Sequence, residues 1–160
     1  MTTAKKYRIA ELSCVAVLIV FIIVLIGAHI GGTKKTAAEL SAPFADVITP
    51  DFMTKESEKT ALDLFNLPPD KTEGVVFYAN ESVMDVSELL IVKLVDENDA
   101  PEVRAAIEKR VEEQRTLYQK YAPKQYALLK NCVIAVSGNA IFYCTAENAG
   151  ELYELFKRNL

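Results

Sequence analysis

The chain has 160 residues, 51% of them apolar, and carries 18 Lys+Arg against 22 Asp+Glu. That length suits a single domain, and one histidine with three cysteines supplies neither a zinc cluster nor a disulfide-dense scaffold. Setting aside the first 32 residues, with Lys5, Lys6, Arg8 and Glu11, leaves 15 basic and 21 acidic side chains and no Lys/Arg stripe, which argues against nucleic-acid binding.

The N-terminal segment comes first. No charge occurs between Glu11 and Lys34, a run of 22 positions, and about 20 helical residues cross the ~30 Å hydrocarbon core of a bilayer. Lys5, Lys6 and Arg8 ahead of the run bias the N-terminus toward the cytoplasm. A cleavage site ending at Ala28 would put the bulky Ile26 at −3, and Cys14 stands at the wrong end of the run for lipid attachment. The expectation is a retained single-pass anchor. Residues 1–11 would be cytoplasmic, 12–32 in the membrane, 33–53 a connector, and 54–160 an extracellular domain. His29 falls at the outer edge of the span with no second metal ligand near it in sequence, and reads as a polar residue at the headgroup boundary.

In the connector, Leu40, Phe44, Val47 and Ile48 recur at helical spacing, interrupted by Pro43 and stopped by Pro50. A short helix lying on the bilayer or on the domain is expected. A second helix is predicted from Thr54 to Asn66, with Ala61, Leu62 and Phe65 inward and "LPPD" closing it. "GVVFYA" (74–79) and "ELLIVKLVD" (88–96) read as strands joined by the turn-forming "NESVMDVS". The long helix from Asp99 carries an Asp-x-x-Glu box with Glu102 and a buried stripe of Val103, Ile107, Val111, Leu117, Tyr118 and Tyr121. Pro123 ends it and opens "PKQYALLKN". "CVIAVS" and "AIFYCT" form a hairpin around Gly138-Asn139. A last helix, 148–159, begins at an Asn148-x-x-Glu151 box and buries Leu152, Leu155 and Phe156. Paired strands predict an α+β domain built on a four-stranded, mainly antiparallel sheet of two hairpins. Strict alternation would put Leu89, Ile91, Val95, Val133, Ala135, Ile141 and Tyr143 on a second apolar face. Either the N-terminal helices or another protein must cover it.

Several stretches resemble a bacterial family designated domain of unknown function 4358. They are "MTKESEKTALDLFNL", "MDVSELLIVKLVD" with Glu88 entering the strand, "YQKYAPKQYALLKN", and the Gly138-Asn139 hairpin with its final helix. The likeness spans about residues 50–158. It implies a small exported or membrane-attached protein of Gram-positive bacteria, many of which have lipoprotein leaders. This chain departs by lacking a lipobox, and the family brings no catalytic residue to carry over.

Chemistry is sparse. No histidine beyond His29 is present to act as a base for a Ser or Cys nucleophile, and the glycines after the connector are isolated, so no phosphate cradle can be drawn. No cofactor or metal is expected. Glu88, an acid entering an apolar strand, reads either as half of a carboxylate site or as a structural acceptor near a helix end or Tyr121. Tyr118, Tyr121 and Tyr126 around Pro123 read either as a recognition cluster or as rings that lock a helix corner. A hairpin centred on Gly138 sets Cys132 opposite Cys144 and permits a disulfide; one centred half a step later offsets them and leaves two thiols. The functional expectation is a membrane-anchored, non-catalytic domain that binds an envelope protein or its own copy. An envelope enzyme or ligand-binding domain using carboxylates near Glu88 is the alternative.

Overall fold

The structure, a computed structural model, describes residues 32–49 and 51–160. The expected anchor over 12–32, with Cys14 and His29, lies outside them except for Gly32. Among the described residues no helix is long and apolar enough to cross a membrane.

Five strands form one antiparallel sheet in the order β1-β2-β3-β5-β4. They are β1 (Thr54–Glu56), β2 (Thr72–Ala79), β3 (Glu88–Leu94), β4 (Val133–Ser137) and β5 (Ala140–Thr145). The helices are α1 (Ala37–Ser41), α2 (Glu58–Phe65), α3 (Ala100–Tyr118), α4 (Pro123–Lys130) and α5 (Ala149–Arg158). The α+β class is as expected, but the sheet has a fifth strand where a helix start was predicted. Ser57 is the reason: its hydroxyl accepts from the Thr60 N–H at 3.0 Å and starts α2 there. Thr54–Glu56 stay extended before it and pair with Phe77–Ala79. At its other end α2 stops on Asn66 in the left-handed region (φ 50°, ψ 46°), ahead of the prolines.

Both faces of the sheet are covered, so all seven residues of β3 are buried. On the first face Phe77, Leu90, Val92, Ile141 and Tyr143 meet Phe65 of α2, Val103, Ile107, Val111 and Tyr118 of α3, and Leu129 of α4. On the second face Val76, Tyr78, Leu89, Ile91, Phe142 and Cys144 meet Leu40, Phe44, Ile48 and Met53 from the connector and Leu152 and Phe156 of α5. Phe142 anchors that layer, its ring 5.0 Å from Phe156 and 6.2 Å from Phe44. The register pairs Leu90 with Tyr143 and Ile91 with Phe142. Ile141 and Tyr143 therefore belong to the first face, not to the second as expected, and Val95 is exposed past the end of β3. The chain's own flanks cover the second face.

The helix ends depart from expectation in a consistent way. A 3-10 turn over Glu97–Asp99 precedes α3 and leaves Asp99 helical (φ −82°, ψ −7°), so no Asp99–Glu102 box forms. Asp96 caps the turn instead, accepting from the Asn98 N–H at 2.9 Å, while Asp99 and Glu102 hold Lys71. Asn148 makes no side-chain cap either. The box that does form is Thr36 with Glu39 at the start of α1. Leu117 and Tyr121, expected in the buried stripe, are exposed: Tyr118 continues the stripe at the end of α3, Leu117 stands one residue off it, and Tyr121 follows the helix; Val47 also faces outward.

Candidate functional site

The end of the sheet where β3 begins gathers most of the residues singled out from the sequence. Glu88 sits between Ala79 of β2 and Thr145 of β5 and is 5% exposed. One carboxylate oxygen is bound by the Arg110 guanidinium of α3, and the other accepts from the Tyr143 hydroxyl at 3.3 Å. Arg110 in turn lies over the Phe65 ring, 4.8 Å from its centroid. Glu88 was expected to bond Tyr121 or a helix terminus; its partners are Arg110 and Tyr143. Full burial drives the Tyr143 hydroxyl well above its ordinary pKa, and the Glu88 charge adds to that. With both oxygens engaged and the side chain enclosed, this carboxylate is held as an ion pair and presents nothing to a substrate.

Outside that pair lies the loop between β2 and β3. The Asn80 N–H donates to the Ser87 carbonyl at 3.1 Å, the Asp85 N–H to the Ser82 carbonyl at 3.0 Å, and the Asn80 side chain to the Phe52 carbonyl at 2.8 Å. Gln125 of α4 accepts from the Val86 N–H at 3.2 Å. A loop tied at so many points has a fixed shape, and at its apex it displays Val83, 89% exposed, and Met84, 58% exposed. The Tyr118 hydroxyl donates to the Val83 carbonyl at 3.0 Å, and the exposed Tyr121 packs on Tyr118 with ring centroids 5.6 Å apart. Burial, then the neighbouring Tyr121, Glu88 and Asp85, raise the Tyr118 pKa, so its hydroxyl stays protonated and donating at neutral pH.

The structure thus unites Glu88, Tyr118 and Tyr121 at one end of the sheet. Pro123 opens α4, with Ala122 out of helical geometry (φ −133°, ψ 73°). Tyr126 is separate: it lines a cavity of about 310 Å³ with Glu112, Arg115, Thr116, Gln119 and Lys130. Cys132 and Cys144 are both free thiols. Ser137 pairs with Ala140 around a Gly138 at φ 56°, so Val133, not Cys132, stands opposite Cys144. The two sulfurs lie on opposite faces of the sheet, and the disulfide of the other register is not formed. Burial raises both thiol pKa values, that of Cys144 far up and that of Cys132 against the lowering pull of Arg115. No cluster of metal-ligating side chains occurs among the described residues.

Arg110, Val83 and Met84 escaped the sequence reading, and Tyr143 was expected on the other face, away from Glu88. Arg110 follows Ile107 by three positions and so shares its inward side, a signal that the charge obscured. Val83 and Met84 are an apolar pair inside a run of turn formers, which is the sign of a displayed loop.

Together these features define an α+β domain with a closed ion pair at one end of its sheet and an apolar tip beside it. A family model described as a domain of unknown function, DUF4358, matches residues 49–146, and the chain belongs to that family. The matched span holds the whole sheet and α2 to α4, while α1 and α5, which cover the second face, lie outside it. Neither the curated proteins nor the solved structures gave a match.

Proposed function

We propose that the chain is a single-pass, membrane-anchored domain of the cell envelope that acts by binding another envelope protein through its Val83–Met84–Tyr121 tip. The carrying observation is the pair of aliphatic side chains exposed on a hydrogen-bonded loop beside an exposed tyrosine. Apolar groups held rigidly in water gain most from a partner, because little ordering entropy is lost when they dock. Position within the domain favours a protein over lipid as that partner. Thr33, next to the first described residue, lies at the opposite end of the sheet: its carbonyl accepts from Lys93 and its hydroxyl donates to the Leu160 carbonyl at 3.3 Å. Glu88 and Lys93 mark the two ends, roughly 17 Å apart at the usual rise per residue of a strand. A tether through Thr33 leaves the tip unencumbered.

The test is made on the full-length protein in intact cells. Val83→Cys is expected to react with a membrane-impermeant thiol reagent; reaction only after lysis would remove the extracellular placement. A photo-crosslinking residue at Met84 is expected to give one adduct that a Val83→Ser, Tyr121→Ser background abolishes. Equal yield from a control position such as Lys109, exposed on α3, would count against the tip.

A further inference from the structure

The two edges of the sheet are not alike. β1 closes one edge with three residues, Thr54-Lys55-Glu56, and its two charges discourage further pairing. β4 forms the other with Val-Ile-Ala-Val-Ser, which has no charge and no proline. Where β3 and β5 are wholly buried, β4 is partly open along its length and Val136 is 39% exposed. A two-residue turn makes Ser137 and Ala140 a hydrogen-bonded pair, so alternation aims the backbone groups of Ser137, Ala135 and Val133 at β5. Those of Val136 and Ile134 point away from the sheet, and among the described residues no turn, cap or side chain bonds to them. Beside this edge, between β4 and α3, lies a cavity of about 450 Å³ lined by Val111, Cys132 and Ile134 together with four charged side chains of α3.

We infer that β4 pairs antiparallel with β4 of a second copy of this chain, across a twofold axis at Ala135, joining two five-stranded sheets into one. The strand is complementary to itself in that register. Ile134 meets Val136 of the second copy, and Val136 meets its Ile134, as two hydrogen-bonded pairs with aliphatic side chains on the α3 side. On the other side Ala135 meets Ala135 and Val133 meets Ser137, so no like charges oppose. The pairing brings an aliphatic side chain of the second copy to the mouth of the cavity. Each copy spends its one unguarded edge, so assembly closes at two instead of growing into a fibre. The inference stands on the edge alone and does not depend on the tip.

The experiment uses full-length protein in detergent with Cys14 and Cys132 changed to Ser. Cβ atoms of directly opposed residues approach to ~4.5–5.5 Å, close enough for mild oxidation to join them. Ala135→Cys is expected to give mainly a covalent dimer, and Lys59→Cys, on α2 beyond the opposite edge, is expected to give little. Adding Val136→Lys should lower the Ala135→Cys cross-link at least tenfold, while Val136→Thr, neutral and β-branched, should keep it. The melting curve by circular dichroism checks that the Val136→Lys fold is intact. Cross-linking no better than at Lys59, or a cross-link indifferent to Val136→Lys, overturns the proposal. Val83→Ser with Met84→Ser should leave the dimer unchanged, so loss of tip binding and loss of dimer are told apart.

Discussion

Glu88 and Arg110 meet where neither is well hydrated, with the guanidinium lying over Phe65 and one carboxylate oxygen occupied by Tyr143. A pair in that setting recovers much of its desolvation cost only while both members are present. Arg110→Met is therefore expected to destabilise by about 3 kcal/mol, because it strands the Glu88 charge beside a buried phenol. Glu88→Gln with Arg110→Met should cost less than Arg110→Met alone, giving a coupling energy of roughly 1–3 kcal/mol in urea titrations. A coupling near zero would mean that the charges are solvated, and the closed description of the site would fail. Thiol chemistry offers a second check at this scale. In native protein Cys144, fully buried, should resist alkylation while Cys132, half-buried in the lining of its cavity, reacts slowly. Both should be modified in denatured, unreduced protein, as read by peptide mass. The sequence showed Glu88 as unusual but not its partner, since 22 residues separate it from Arg110 and only the docking of α3 on the sheet joins them. The thiols turned on a half-step in the hairpin centre, which spacing alone leaves open.

At the scale of elements, the helix starts show how capping is decided by backbone approach and not by residue type alone. Thr36 enters α1 extended (φ −71°, ψ 163°) and exchanges bonds with Glu39, whereas Asp99 is already helical and cannot turn its carboxylate back. The Thr36 N–H, and after it the Thr36 hydroxyl, lower the Glu39 pKa from its ordinary value, with Lys35 adding to the shift. A depressed folded pKa means that the carboxylate's contribution is complete above the unfolded value and is lost as pH falls through the folded one. In an NMR titration Glu39 should accordingly titrate below an ordinary glutamate (~4.3), and Thr36→Ala, which removes the hydroxyl but keeps the backbone N–H, should reverse only the smaller part of the shift. The same physics explains what could be read from the chain beforehand. β2, β3, β5 and α3 are long and strongly patterned, and they stand where periodicity put them. β1 has three residues, two of them charged, and gives no alternation to detect; "MTKESEKT" offers both Thr54 and Ser57 as helix starts, and the choice between them is settled by pairing with β2. Leu117 lies one residue, about 100° of helix, off the stripe that Val111 and Tyr118 continue, and Tyr121 follows the end of α3.

For the molecule as a whole, the connector is as much a part of the core as the strands. Leu40 and Phe44 are wholly buried, Met53 nearly so, and Asn159 reaches back from the end of α5 to donate to the Glu39 and Leu40 carbonyls at 2.9 and 3.1 Å. Read from the sequence, residues 33–53 looked like a link between anchor and domain, because Pro43 and Pro50 break the helical pattern. In the fold Pro43 lies in a 3-10 turn, Ala42–Phe44, that carries the segment over the second face of the sheet, where Phe44 reaches Phe142. A chain beginning at Thr54 would keep the five strands yet leave Leu89, Ile91 and Phe142 without half of their cover. It is expected to bind a hydrophobic dye and aggregate, whereas a chain beginning at Gly32 should melt cooperatively. Phe44→Ala tests the same layer without deletion and should cost about 3–5 kcal/mol, the usual penalty for emptying an aromatic core position. The two measurements must agree: a Thr54 start that melts cooperatively, with a small loss at Phe44, would show that the sheet is stabilised from the α2–α4 side alone. The flanks outside the family-matched span would then be an accessory layer and not half of the core.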